Sequence, residues 1–254
     1  MKKLVQWLFT LFGLKITRAR YARKYLPKPC VDNVEVVVKF FALANWKANL
    51  LQVGACDGFT SDSVYPYIKA NKVNAILVEP STVNFSKLQE FYHGHANVTC
   101  VNAAVAEGNE RKPFYTIKNE GRWKDSGWAR QLASFYKAHL LKHGIRENEI
   151  AVENVDCKTL STLLKEYGLQ EIDILLIDTE GFDGEIVKMA FKENIKPLFI
   201  FFENAQLVQN YSQAELDELY SLIKSNGYVW SHDRINTMAV RGDFFLSDME
   251  KANI

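Results

Sequence analysis

From residue 49 onward, short near-continuous apolar runs alternate with segments of helical spacing. Asn49–Gly54 is an apolar run that ends in glycine. Ala75–Val78 is wholly apolar and stops at Glu79-Pro80. Val98–Val105, Ile172–Ile177 and Leu198–Phe202 read as a third, fourth and fifth strand. Strands buried on both faces need no polar face, so these runs predict a parallel sheet covered by helices. Between them, Ser61–Ala70 reads as a helix capped by Thr60, Ser61 or Asp62, with Pro66 early enough to be tolerated. Thr82–Tyr92 is a helix closed by Gly94, and Lys158–Tyr167 gathers Leu160, Leu163 and Leu164 on one face. Ser212–Asn226 has Ser212 as its cap and Gly227 at its end. Pro113–Ile117 reads as an additional strand, a hairpin partner. Tyr228–Ser231 and Thr237–Val240 close the chain as an antiparallel edge hairpin, the last strand reaching toward Leu246. The whole predicts an α/β, Rossmann-like, doubly wound, mostly parallel sheet.

Two stretches break the rhythm. Residues 1–48 form a basic helical extension, interrupted by Pro27 and Pro29, ahead of a domain spanning 49–254. Residues 118–148 carry Trp123, Trp128, Phe135 and Tyr136 among Arg122, Lys124, Arg130 and Lys137, and Gly127–His143 reads as one helix. An insertion of this length in an α/β domain is commonly a lid or binding loop. An aromatic stripe that packs on the domain is the alternative.

Charge changes the picture only at the N-terminus. The formal net charge is +1, which gives no argument for nucleic-acid binding. Yet Lys2, Lys3, Lys15, Arg18, Arg20, Arg23, Lys24 and Lys28 all precede the first acid, Asp32, and flank an apolar run from Leu4 to Leu14. Three readings stay open: a helix packed on the domain, a basic amphipathic contact with a membrane surface through residues 1–28, or a secretory signal, for which no convincing small-residue cleavage site follows. Cys30, Cys56, Cys100 and Cys157 are widely spaced, which argues against a disulfide framework or structural zinc. No apolar run reaches 18 residues. A cytoplasmic protein, peripheral at the membrane surface if the basic segment binds there, is the expected location.

In such sheets ligands bind at the carboxyl ends of the strands. The first strand ends on Gln52-Val53-Gly54-Ala55-Cys56-Asp57-Gly58, the second on Glu79, the third near Asn102-Ala103, the fourth on Asp178 and Glu180, and the fifth on Glu203. Five polar endings on one edge mark a cleft for a nucleotide-type cofactor. Gly54 and Gly58 permit a sharp turn and close backbone approach to a ligand. The third glycine of a dinucleotide fingerprint is missing, since Ser61 stands near the expected helix start. Glu79, 25 residues after Gly54, is placed to accept both hydroxyls of a ribose.

The segments QVGACDG, ILVEPS, VNAAVAEG, ILLIDTEGFDGEIV and FFEN resemble the FkbM family of methyltransferases over about residues 49–205. The pattern IDxEGx[DE] after an apolar strand carries most of the likeness. The resemblance implies a class I methyltransferase fold, S-adenosylmethionine as methyl donor, and O-methylation of a sugar, polysaccharide or other glycan, or of a secondary metabolite. It assigns Gln52, Gly54, Ala55, Asp57, Gly58, Glu79, Asn102 and Ala103 to the cofactor, and Asp178, Glu180 and Gly181 to the signature turn. Gln52 stands where many methyltransferases carry an acid, which leaves Asp57 to supply the charge for the methionine ammonium.

Methyl transfer to an alcohol needs a base, or a metal that raises the acidity of the hydroxyl. Asp178 and Glu180 are the candidate catalytic acids, and Asp178 with Glu203 a candidate Mg2+ pair. Asp178 serving only to orient the cofactor is the competing role. His232, beside Asp233, is the alternative base. His139 and His143 lack the glutamate of an H-E-x-x-H site and read as an exposed helix face. Two rival functions stand: a nicotinamide-dependent oxidoreductase, and a non-catalytic cofactor-binding module of a glycan-assembly complex.

Overall fold

The structure is a computed structural model in which residues 33–233 and 235–244 are described. The basic N-terminal segment and the expected extension to Leu246 lie outside the described residues. In chain order come α1 (Asn33–Leu43), β1 (Ala48–Val53), α2 (Tyr65–Lys69), β2 (Val73–Val78), α3 (Thr82–Phe91), β3 (Val98–Val101) and β4 (Ala104–Val105). Then follow β5 (Arg111–Ile117), α4 (Gly127–Gln131), α5 (Lys137–Lys142), β6 (Ile150–Lys158), α6 (Leu160–Glu166), β7 (Ile174–Ile177) and α7 (Asp183–Lys192). The described chain closes with β8 (Phe199–Glu203), α8 (Ala205–Asn210), α9 (Gln213–Ser225), β9 (Tyr228–His232) and β10 (Asn236–Arg241).

The main sheet has the order β3-β2-β1-β7-β8-β10-β9. Its strands pair in parallel except β10, which runs antiparallel to both neighbours. The expected hairpin is there, with one refinement: β10 inserts between β8 and β9. Burial decides this. β10 hides Thr237, Ala239 and Val240, whereas β9 hides Tyr228 alone and suits the edge. The chain order reverses direction between β1 and β7, and that switch point is where a cleft opens in a doubly wound sheet.

Alternate residues of each strand feed two cores. Leu51, Val53, Ile76, Leu175, Ile177 and Phe202 face α6, α7 and α9, meeting Leu163, Ile186, Val187 and Leu219. Leu50, Leu77, Ile174, Phe199 and Phe201 face the other way, against Val38 and Phe41 of α1, Ile68 of α2 and Leu88 of α3. Thus α1, which the sequence reading counted with the N-terminal extension, is part of the packed domain. Among the described residues no helix is long and apolar enough to cross a membrane.

A second sheet, β4-β6-β5, carries the insertion. The expected strand Val98–Val105 divides at Asn102-Ala103: β3 stays in the main sheet, while β4 leaves to pair with β6. β5 pairs antiparallel with β6 from Arg111↔Asp156 to Ile117↔Ile150. The expected helix over Gly127–His143 is instead two short helices. Ser134, between them, exchanges both backbone hydrogen bonds with Tyr115 of β5, 2.9 and 3.0 Å, and an extended residue there cannot be helical.

Candidate functional site

The loop after β1 is built against β2 and β7. The amides of Gly54 and Ala55 donate to Val78 O at 2.9 and 3.1 Å. The Glu79 carboxylate then accepts from the amides of Cys56 (Oε2, 2.9 Å) and Ser81 (Oε1, 2.9 Å). Glu79 is 4% exposed. Burial raises its carboxyl to about 7, against the pull of these donors. A carboxylate has about four acceptor positions, so two amide donors leave one position on each oxygen for a ribose hydroxyl. Asn102 Nδ2 donates to the carbonyls of Glu79 and Pro80, 2.9 and 3.1 Å, and with buried Ala103 frames the same turn.

Two sequence expectations gain a further role here. Gly54 (φ +87°) is required by the protein itself: a Cβ would lie 1.7 Å from the Asp178 carbonyl oxygen. Gly58 (φ +81°) similarly lies against Leu88 of α3 and Tyr92 just past its end, and the Tyr92 hydroxyl donates to its carbonyl at 3.0 Å. Gly54→Ala adds steric overlap to a left-handed backbone and is expected to cost at least about 3 kcal/mol, measured by urea unfolding. Near-parental stability would show that the two turns separate freely. Asp57 is the second. Its buried carboxylate accepts from the amides of Phe59 (3.3 Å) and Thr60 (2.9 Å) and from Thr60 Oγ1 (2.7 Å). It stabilises its own loop, a role beside the ammonium contact expected of it.

The signature turn follows β7. Asp183, fully buried, accepts from Thr179 Oγ1 (2.7 Å), the Thr179 amide (3.3 Å) and the Glu203 amide (3.1 Å). It is a tie between the ends of β7 and β8, and it brings Asp178, Glu180 and Glu203 into one acidic group. Burial first, and then Glu180 and Asp183, raise the Glu203 carboxyl to about 8. Asp178 is raised well above the usual range by the protein crowded around it, then by Asp183, Glu180, Glu203 and Asp62. Its side chain nevertheless keeps an exposed face, so water still reaches it from the open side.

The insertion completes this group with residues that sequence reasoning had placed elsewhere. Glu180 has φ +54°, a left-handed backbone uncommon for a residue with a Cβ. Ser134 Oγ donates to its carbonyl at 3.1 Å. His139, read from the sequence as exposed, is 4% exposed, and its Nε2 lies 3.1 Å from Glu180 Oε2. That contact has the separation of an ion pair but not the direction of a hydrogen bond. His143 is only half-buried and supports His139, its Nδ1 3.0 Å from the His139 carbonyl. At the other side of the cleft, Asn84 Nδ2 donates to the Arg130 carbonyl at 3.0 Å, tying α3 beside Glu79 to α4. The insertion therefore touches both the Glu79 and the Glu180 ends of the site. The lid or binding-loop reading of residues 118–148 named none of these contacts.

His232 does not join the group. It is exposed at the end of edge strand β9, against Tyr220, two strands beyond β8. Nor does the arrangement fit Mg2+: among the described residues no three His, Cys, Asp or Glu side chains are grouped to hold a metal ion. Beside the signature turn is a cavity of about 300 Å³ lined by Ala106, Lys112, Pro113, Tyr115, Phe135 and Phe182.

No curated protein sequence matches this chain. Among solved structures it is similar to a methyltransferase FkbM from Methylobacillus flagellatus KT, at 12% identity over 76% of this chain and 43% of that one, with a TM-score of 0.44. It is also similar to a putative caffeoyl-CoA O-methyltransferase from Staphylococcus aureus, at 10% identity over 94% and 91% of the two chains (TM-score 0.45). An O-methyltransferase from Bacillus cereus shares 13% identity over 94% and 97%, with a TM-score of 0.41. A family model described as the methyltransferase FkbM domain matches residues 52–230, from the end of β1 through the acidic signature to β9. With that match spanning every strand tip of the site, the chain belongs to the FkbM methyltransferase family.

Proposed function

We propose that this protein transfers a methyl group from S-adenosylmethionine to a hydroxyl of a sugar, glycan or secondary metabolite. The observation that carries the reading is the carboxylate group of Asp178, Glu180 and Glu203, set at strand tips beside the β1 loop and touched by the insertion. The β1 loop and Glu79 fit the donor: a buried carboxylate with an acceptor position to spare lies at the tip of β2. Bound there, the donor supplies an electrophilic methyl group.

The protein's own residues then have two tasks. Asp178, with Asp183, Glu180, Glu203 and Asp62 as acidic neighbours, would take the acceptor's hydroxyl proton. An arriving cation offsets the repulsion among the acids and favours the ionised form that a base requires. Glu180, held by Ser134 and His139, fixes the acceptor side of the group. The cavity beside Phe135 and Phe182 offers aromatic surface to an acceptor ring, with Lys112 at its wall. Incubating the protein with methyl-labelled adenosylmethionine and glycan or metabolite extracts, followed by mass spectrometry, tests the reading. Label on a hydroxyl supports it, while label confined to nitrogen or sulfur would replace O-methylation with another transfer.

Residues 1–28 extend the proposal to a membrane surface. Their basic side chains are worth about 1 kcal/mol each near anionic head groups, and less in salt. The full chain is expected to sediment with anionic vesicles at low salt, whereas a chain beginning at Pro29 should stay soluble and folded. Indifference of the full chain to anionic vesicles would remove the membrane from the picture.

A further inference from the structure

Gln52, the next-to-last residue of β1, is 5% exposed. Its Nε2 donates to Asp62 Oδ2 at 3.1 Å. A carboxylate only accepts, so the orientation of the amide is dictated: nitrogen toward Asp62, oxygen away from it. That oxygen, Oε1, is buried with no hydrogen-bond partner among the described residues. Unpaired buried acceptors are rare in folded proteins, and one at a ligand cleft points to a donor that arrives with the ligand.

Asp62 is itself firmly placed. Its Oδ1 accepts from the amides of Val64 (2.7 Å) and Tyr65 (3.2 Å) at the start of α2. Its charge is felt at Asp178 across the cleft. Asp57, the nearer acid in sequence, is engaged within its own loop. The position therefore combines a buried, unpartnered carbonyl acceptor with the negative charge of Asp62 beside it. A donor that carries positive charge suits it, and a neutral donor gains less.

We propose that Gln52 and Asp62 form the seat of the ammonium group at the amino-acid end of the methyl donor. Gln52 Oε1 accepts from the ammonium, and Asp62 holds the amide in orientation and supplies the charge that Gln52 lacks. The assignment rests on the adenosylmethionine reading above. It explains how a strand-one glutamine is compatible with a cationic ligand group: an acid stands ten positions along and anchors the glutamine.

Two probes separate this seat from the rest of the cleft. Adenosylhomocysteine carries the ammonium; 5′-methylthioadenosine has the same nucleoside and thioether but no amino-acid end. Calorimetric titration of both into the parent, Gln52→Leu and Asp62→Asn proteins is the experiment. Each variant is expected to bind adenosylhomocysteine about 10- to 100-fold more weakly, the range of one hydrogen bond to a charged group. Methylthioadenosine affinity should stay within about threefold by the same reasoning, which also reports that each variant is folded. Equal weakening of both probes, or no change in either, overturns the seat. A parent protein that binds neither probe overturns the donor reading itself.

Discussion

Asp178→Asn is expected to lower turnover by at least about 100-fold and to leave adenosylhomocysteine affinity nearly intact. The substitution keeps shape and leaves the backbone carbonyl that packs against Gly54. It removes the one charge that Asp183, Glu180, Glu203 and Asp62 all oppose. Removing charge from a crowd of like charges stabilises the fold, so the same variant should melt at a higher temperature than the parent when no ligand is bound. Loss of turnover together with a gain in stability is the signature of a group kept for chemistry rather than for structure. Turnover close to parental would take Asp178 out of the reaction. Because the carboxylates do not form a three-ligand group among the described residues, activity should persist in EDTA, and rescue of a chelated enzyme by magnesium would contradict the proton-transfer role.

The strands that hold the site could be read from sequence because burial on two faces leaves a strand no option but to be apolar. β1, β2, β7 and β8 are of that kind. β6 escaped notice because it is half exposed. Glu153, Asn154 and Asp156 interrupt its apolar positions, and it becomes a strand through its partner β5. The inserted helix was over-extended for a similar reason. Local spacing favours helix across Gly127–His143, but pairing of Ser134 with Tyr115 fixes an extended residue in the middle.

The strand-tip acids were legible as a group, since each ends an apolar run. Their division of labour was not. Asp57, read in the sequence as a cofactor acid, also holds its own loop through the Phe59 and Thr60 amides, and Asp183 ties the signature turn to the end of β8. His139 was hidden because its partner Glu180 sits on a turn two strands later in the chain. Asp62 was visible as a candidate helix cap; Val64 takes that place, while Asp62 accepts from the amides that lead into α2 and its second oxygen reaches Gln52. What a carboxylate does depends on which of its acceptor positions the fold has already used, and that is settled by tertiary contact.

The pH dependence of donor binding is expected to follow Glu79. In the folded, ligand-free protein its carboxyl lies at about 7, against an ordinary value of 4.5. The folded state thus binds this proton more tightly than the unfolded chain does. The resulting stability is fully present below pH 4.5 and is lost as pH rises through about 7, amounting to about 3 kcal/mol for this group. Donor binding should run the other way. A ribose hydroxyl donates to the ionised carboxylate, so adenosylhomocysteine affinity should fall by up to about tenfold per unit as pH drops below 7. The groups nearest Glu79 do not blur this. The Cys56 thiol is pushed up to about 12 and stays neutral across the range, and Glu153 acts on Glu79 in the same upward direction as burial. Melting curves from pH 5 to 8, with and without adenosylhomocysteine, would therefore diverge: the free protein loses stability as pH rises while the ligand's stabilising increment grows. Glu79→Gln should flatten the ligand's pH profile and bind roughly 100-fold more weakly, because the amide NH2 must then face the Cys56 or Ser81 amide, donor against donor. An affinity profile in the parent that is level from pH 5 to 8, or one that Glu79→Gln reproduces, would separate Glu79 from the donor site.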